Sequence, residues 1–314
     1  MRSRALSIAL LAVAGCAADP EVDVGVTQQA SLVATVAPQT ADPSDTLAPQ
    51  ALEYAYAGSG GLPGSGYLVV YLHGNGGSPA SSTTIMQHAN SLGFYVVGVE
   101  YFDLESAPGS PSMDDLCNGD PACPGTVQAA MWECASGGPL TVNAHTCAKE
   151  RLDALLHYLV TADPSHNWSQ FLINGHPKWS KIVMAGHSLG ASVSAYAAQH
   201  KPVERLVMTS CPGELADWLT DPLLPGPANA YGLVHFQDQV AGYQDVMDAW
   251  TTFGMSGEYC VDSLCLNVVC SPLLGQYCGA HKLKTFRTVT NPHNAPAQDT
   301  TYAPAWTYMF THGL

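Results

Sequence analysis

Ser188 stands at the centre of Gly186-His187-Ser188-Leu189-Gly190, between a short apolar run and an alanine-rich stretch. A turn that lifts a serine hydroxyl off the end of a strand strains the backbone and brings strand and following helix very close. Only small residues fit two places either side of the serine, and Gly186 and Gly190 occupy those places. Amides at the start of the helix, Leu189 first, then point toward whatever oxygen gains charge as Ser188 attacks. A second glycine-rich stretch, His73-Gly74-Asn75-Gly76-Gly77, ends another apolar run and presents main-chain amides of the kind an anion-stabilising loop requires. Residues of these types suit acyl transfer through a serine nucleophile. Taken bare, the pentapeptide also fits a strand ending in an ordinary glycine loop, and residues 73–77 fit a plain turn.

The elements that must position these residues are legible from pattern. Ile182 to Ala185 is a buried-strand run and Leu189 to His200 has helix-favouring content. Tyr67 to Leu72 is continuously apolar, as strands covered on both faces are. Phe94 to Tyr101, Val203 to Ser210, Gly232 to Phe236 and Thr285 to Thr290 read as further strands, Ala51 to Ala57 as an edge strand, and Ala148 to Thr161 as a helix. Residues 102–146 form a long insertion rich in Pro, Gly and Ser that carries Cys117, Cys123, Cys134 and Cys147; its place suits a cap over a pocket, or a surface loop.

A His-Gly-X-Gly-Gly loop upstream of Gly-X-Ser-X-Gly resembles the oxyanion loop of the α/β-hydrolase superfamily, particularly its esterases and lipases. The resemblance runs from about Tyr67 to the C-terminus. It implies an α/β-hydrolase fold, a mostly parallel central sheet with helices on both faces. It also implies a chain order of serine, acid, histidine, which Ser188, Asp238 and His293 satisfy. Asp238 follows the strand Gly232 to Phe236 and would hold the histidine tautomer; His293 follows the last strand and would shuttle the proton. Glu214 and Asp217 are fallback acids, one strand earlier, whereas Asp245 and Asp248 fall on the solvated face of a helix. His281 precedes the last strand and His312 is almost terminal, while His73 and His187 fit as framework residues. The oxyanion donors would be Leu189 with Asn75 or Gly74.

Residues 1–15 read as a signal peptide, with Arg2 and Arg4 before an apolar run about half the length of a bilayer span. Val13-Ala14-Gly15-Cys16 resembles the lipobox of bacterial lipoproteins, which implies lipid on Cys16, membrane anchoring in the cell envelope and, since Ala17 follows, the outer membrane; a plain secretory signal and a secreted protein is the other reading. Residues 16–50 lack aromatic residues and sustained periodicity and read as a flexible tether, with 51–314 as the catalytic domain.

The formal net charge is −15, and losing Arg2 and Arg4 with a cleaved leader makes it more acidic. That balance disfavours nucleic acid and polyanionic substrates. Ten cysteines in an exported chain favour disulfides. Nearest-neighbour pairing joins Cys117 to Cys123 and Cys134 to Cys147, cross-links Cys260, Cys265, Cys270 and Cys278, and leaves Cys211 free, with connectivity beyond that open. Four cysteines close together would otherwise suit zinc, but their spacing lacks the paired C-x₂-C pattern. The sequence implies no cofactor and no metal. The activity expected is hydrolysis of a small-molecule or lipid carboxylic ester through an acyl-enzyme; an amidase or peptidase with the same residues, a non-catalytic surface binding lipoprotein and a disulfide-rich adhesin are the alternatives.

Overall fold

The computed structural model describes residues 31–47, 51–214, 216–262 and 276–314. Residues 1–15, read above as a signal peptide, and Cys16 lie outside the described residues, as do Cys265 and Cys270.

Strand β1 (Leu32–Val36) and the short helix α1 (Pro38–Ala41) precede β2 (Glu53–Tyr56), β3 (Leu68–Leu72), helix α2 (Thr83–Ser91) and β4 (Tyr95–Val99). The insertion carries α3 (Met113–Cys117) and α4 (Cys123–Glu133) and leads to α5 (Ala148–Ala162). A two-stranded hairpin, β5 (Leu172–Ile173) with β6 (His176–Pro177), precedes β7 (Ile182–His187), α6 (Leu189–His200), β8 (Arg205–Thr209) and β9 (Ala230–His235). The chain closes with α7 (Tyr243–Thr252), β10 (Glu258–Cys260), β11 (Lys282–Thr285), α8 (Ala295–Gln298) and α9 (Ala303–Thr311).

Among the described residues nine strands form one sheet in the order β1-β2-β4-β3-β7-β8-β9-β11-β10. The pairings β1 to β2 and β2 to β4 are antiparallel and the other six are parallel. Every residue of β3, β7, β8 and β9 is buried, as parallel strands covered on both faces must be. Their side chains alternate between two cores: Leu68, Val70 and Leu72 face the layer of Trp132, Leu152 and Leu156, while Val69 and Tyr71 face Met86, Trp306 and Phe310. This is the α/β-hydrolase architecture expected from the sequence.

Residues 31–47 correct the tether reading. β1 pairs with β2 in register Val36 to Glu53, so β2 is not the sheet edge. Beyond α1, Asp45 accepts a hydrogen bond from Arg151 Nη2 on α5 at 2.7 Å, with both side chains almost fully buried. A five-residue strand that completes an existing sheet needs no long pattern of its own, because its neighbours supply the burial. The last strand also differs: β11 ends at Thr285, opposite His235, where β9 ends too. Asp262 then binds the Thr285 hydroxyl and the Phe286 amide, and residues 286–290 leave the ladder.

Disulfides join Cys117 to Cys123 and Cys134 to Cys147 within the insertion. Cys260 and Cys278 are disulfide-bonded, and Cys211 is a free, buried thiol.

Candidate active site

The strand β7 delivers Ser188 to the carboxyl edge of the sheet and α6 leaves at once. Ser188 has φ 54° and ψ −130°, a conformation that L-residues seldom adopt and that costs about 1–3 kcal/mol. The glycines make it possible. A Cβ on Gly186 would lie 2.4 Å from the main chain of Gly190, and one on Gly190 would lie 2.3 Å from the carbonyl oxygens of Leu72 and His73. The Ser188 amide donates to Thr209 O on the neighbouring strand at 3.0 Å. Among the described residues the Leu189 amide, first in α6, donates to no protein acceptor, as expected of a helix's first turn.

The loop after β3 comes against the same turn. Gly74 faces Ser188 so closely that a Cβ there would sit 3.0 Å from the serine's own. Two of the loop's amides are already used: Gly76 donates to Asp103 Oδ2 at 2.7 Å and Gly77 to Gly74 O at 2.9 Å. The Asn75 amide has no protein acceptor among the described residues, while its side-chain Oδ1 accepts from the Glu105 amide at 3.1 Å. His73 is a framework residue. Its Nδ1 donates to Gly74 O at 2.9 Å, its Nε2 lies 3.2 Å from Glu100 Oε2, and its carbonyl accepts from the Tyr101 hydroxyl at 2.9 Å.

Ser188, Asp238 and His293, drawn from three distant parts of the chain, meet at this edge. Asp238 accepts from His293 Nδ1 at 2.9 Å and 3.0 Å on its two oxygens. Because a carboxylate only accepts, the proton sits on Nδ1, and Nε2 accepts from Ser188 Oγ at 2.8 Å. Burial pushes the Asp238 carboxyl upward, but the hydrogen bond and charge of His293, with the Ala241 and Val240 amides, outweigh it and hold the group below its ordinary range. Glu214 and Asp217 do not reach His293. Glu214 bonds Gln128 and Ser192, and Asp217 opens a single 3₁₀ turn. Asp245 and Asp248 lie on α7, and His281 donates to Ala230 O at the opposite end of β9.

A cleft of about 300 Å³ opens beside Ser188, lined by apolar Leu104, Met113, Leu189, Val240 and Ala241 and by polar groups that include Glu214. The insertion supplies Leu104, Ser112, Met113 and Asp114 to its wall. Sequence reasoning missed two supporting residues. Asp103 clamps Gly76, and Ser210 donates from Oγ to His293 O at 2.8 Å; neither belongs to a motif, and only the folded positions of β4 and β8 bring them to the site. Among the described residues no group of three or more His, Cys, Asp or Glu side chains is arranged to hold a metal ion.

No family model matches the chain, and no curated protein does. Solved structures to which it is similar include a dienelactone hydrolase from Anabaena variabilis, 14% identical with TM-score 0.45 over 90% of this chain and 98% of that one. An α/β serine hydrolase without a lid from Xanthomonas campestris is 14% identical, with TM-score 0.41 over 92% and 98%. Esterase 2 of Thermogutta terrifontis, phosphorylated by paraoxon, is 10% identical, with TM-score 0.41 over 72% and 78%. Likenesses this distant add nothing to the geometry above.

Proposed function

We propose that the protein is a serine hydrolase of carboxylic esters. The observation that carries this reading is the continuous contact from Asp238 through His293 to Ser188 Oγ, with a 2.8 Å approach at the nucleophile. In the first step His293 Nε2 takes the hydroxyl proton as Ser188 Oγ attacks the ester carbonyl carbon. The carbonyl oxygen becomes an oxyanion, met by the amides of Leu189 and Asn75 with Gly74 close beside them. The imidazolium, stabilised by Asp238, gives its proton to the departing alcohol oxygen and leaves an acyl-enzyme. A water molecule deprotonated by the same His293 then releases the acid and restores Ser188. The apolar part of the cleft favours esters over wholly polar substrates.

Export, with lipid on Cys16 holding the domain at the cell envelope, belongs to the same proposal and rests on the first sixteen residues. Incorporation of a labelled fatty acid by the full chain, and its loss in Cys16→Ser, tests that part.

The chemistry is tested with p-nitrophenyl esters from acetyl to palmitoyl. Turnover by the wild type that disappears in Ser188→Ala, together with stoichiometric labelling of Ser188 by an organophosphonate, is the expected result. Folded protein that neither turns over any ester nor takes the phosphonate would overturn the reading.

A further inference from the structure

Glu214, weighed from sequence as a fallback acid, is oriented toward a different task. It follows β8 and lines the cleft that holds Ser188. Its carboxylate is fixed at both oxygens: Oε1 accepts from Gln128 Nε2 at 3.0 Å, and Oε2 accepts from Ser192 Oγ, one helical turn past Ser188, at 3.3 Å. Gln128 is fully buried on α4, so the insertion and the nucleophile helix jointly set the position of this one acidic group.

Both partners are neutral donors, and among the described residues Glu214 takes part in no ion pair. Among the described residues the only other charged side chain on the cleft wall is Asp114. Away from Ser188 the cleft adjoins a second hollow of about 340 Å³ that shares Glu214 and Asp114 and adds Asp120 and Asp245. A substrate bound at Ser188 therefore meets negative charge and, among the described residues, no Lys or Arg along this wall. Burial raises the Glu214 carboxyl above its ordinary range, against the hydrogen bonds to it, which is the state of a desolvated acid lacking a counter-cation. An ammonium group entering the cleft would supply that cation, and an anionic substituent would meet repulsion in a site of low dielectric.

We infer that Glu214 is a specificity residue that selects esters carrying an alkylammonium group, binding the cation while Ser188 attacks the carbonyl. The inference rests on the ester-hydrolase reading. Apolar Met113 and Leu104, which line the same cleft, suit the methyl or methylene groups around a quaternary nitrogen.

The test compares isosteric substrates. One pair is butyrylcholine and the ester in which carbon replaces its quaternary nitrogen; the other is the p-nitrophenyl ester of a trimethylammonio-alkanoic acid and that of its tert-butyl isostere. The pairs place the charge on the alcohol and acyl sides in turn. The wild type is expected to show about tenfold higher kcat/KM for the charged member of at least one pair, carried by KM and shrinking as ionic strength rises. In Glu214→Gln the ratio should fall to about one, with phosphonate labelling of Ser188 showing that the variant is folded. Equal rates for both members of both pairs in the wild type, or an unaltered ratio in the variant, would overturn the inference while leaving the hydrolase reading standing. Absence of turnover on all four esters, with no phosphonate labelling, would remove the hydrolase reading and this inference with it.

Discussion

The ring of His187 donates from Nε2 to the main-chain oxygen of His293 at 3.0 Å. Ser210 Oγ reaches the same oxygen at 2.8 Å. The residue before the nucleophile and the residue following β8 thus grip the peptide of the proposed base from two adjacent strands. His293 itself lies on a loop, yet its distance to Ser188 is set by the sheet.

This arrangement has a pH signature. Burial, then the neighbouring charge of His293, lowers His187 from 6.5 to about 4, and burial lowers His88 to about 4 as well. In the unfolded chain both rings take up protons below pH 6.5, whereas in the fold they stay neutral down to about pH 4. Their stabilising contribution is therefore complete above pH 6.5 and is lost as pH falls through that window, by about 3 kcal/mol for His187 alone. Asp238 adds nothing to that loss, because its carboxyl is held below its ordinary range and its contribution disappears only at lower pH. Burial raises the carboxyls of Glu53 and Glu214, which take up protons in the fold before they would in the unfolded chain and so offset part of the loss. With urea midpoints measured at steps from pH 7 to pH 4, the drop should be smaller in His187→Gln than in the wild type. Equal drops in the two proteins would show that the His187 ring is not neutral in the fold.

Asp238→Asn keeps the shape of the site and changes its hydrogen bonding. An amide can donate to Nδ1, which favours the tautomer that carries its proton on Nε2 and so cannot accept from Ser188. Turnover should drop on the order of 10³–10⁴-fold with little change in KM. A loss below tenfold would mean that another acid serves His293.

Much of this site could be read before folding, for reasons that particular residues make plain. Gly186 and Gly190 announce the elbow because the close approach tolerates no Cβ, so the constraint is written in residue type. β3 and β7 are written in unbroken apolar runs because both faces are covered. Residues 31–47 carry no such mark: β1 is half exposed, and beyond its pairing with β2 the segment is held by contacts with distant residues, Asp42 with His145 and the buried Asp45 with Arg151, 103 and 106 residues apart. Asp103, Ser210 and the pocket-facing role of Glu214 escaped for the same reason, since each acts through a partner that only the fold supplies.

The elbow's steric demand can be tested directly. Gly190→Ala places a methyl group 2.3 Å from the carbonyl oxygens of Leu72 and His73, where β3 runs into the loop that faces Ser188, and neither oxygen belongs to a flexible side chain. The end of β3 and α6 must separate to admit it. A stability loss of about 3 kcal/mol or more is expected, with loss of ester turnover even where the variant remains folded. Ordinary activity in this variant would show that α6 and the end of β3 are not as closely apposed as described.

The buried pair between Asp45 and Arg151 tests whether residues 31–47 belong to the folded domain. Removing one partner strands a charge away from water, so Asp45→Asn or Arg151→Met should each cost about 3–5 kcal/mol in urea denaturation. Replacing both together, Asp45→Leu with Arg151→Met, removes the charge and its burial penalty at once and should recover most of that loss. A chain that begins at Ala51 keeps Arg151 but lacks both Asp45 and β1, so it should behave like the worse single variant and expose the edge of β2. If the truncated chain and the single variants all match the full chain in stability, the segment is a tether after all and the contact at 2.7 Å contributes nothing to folding.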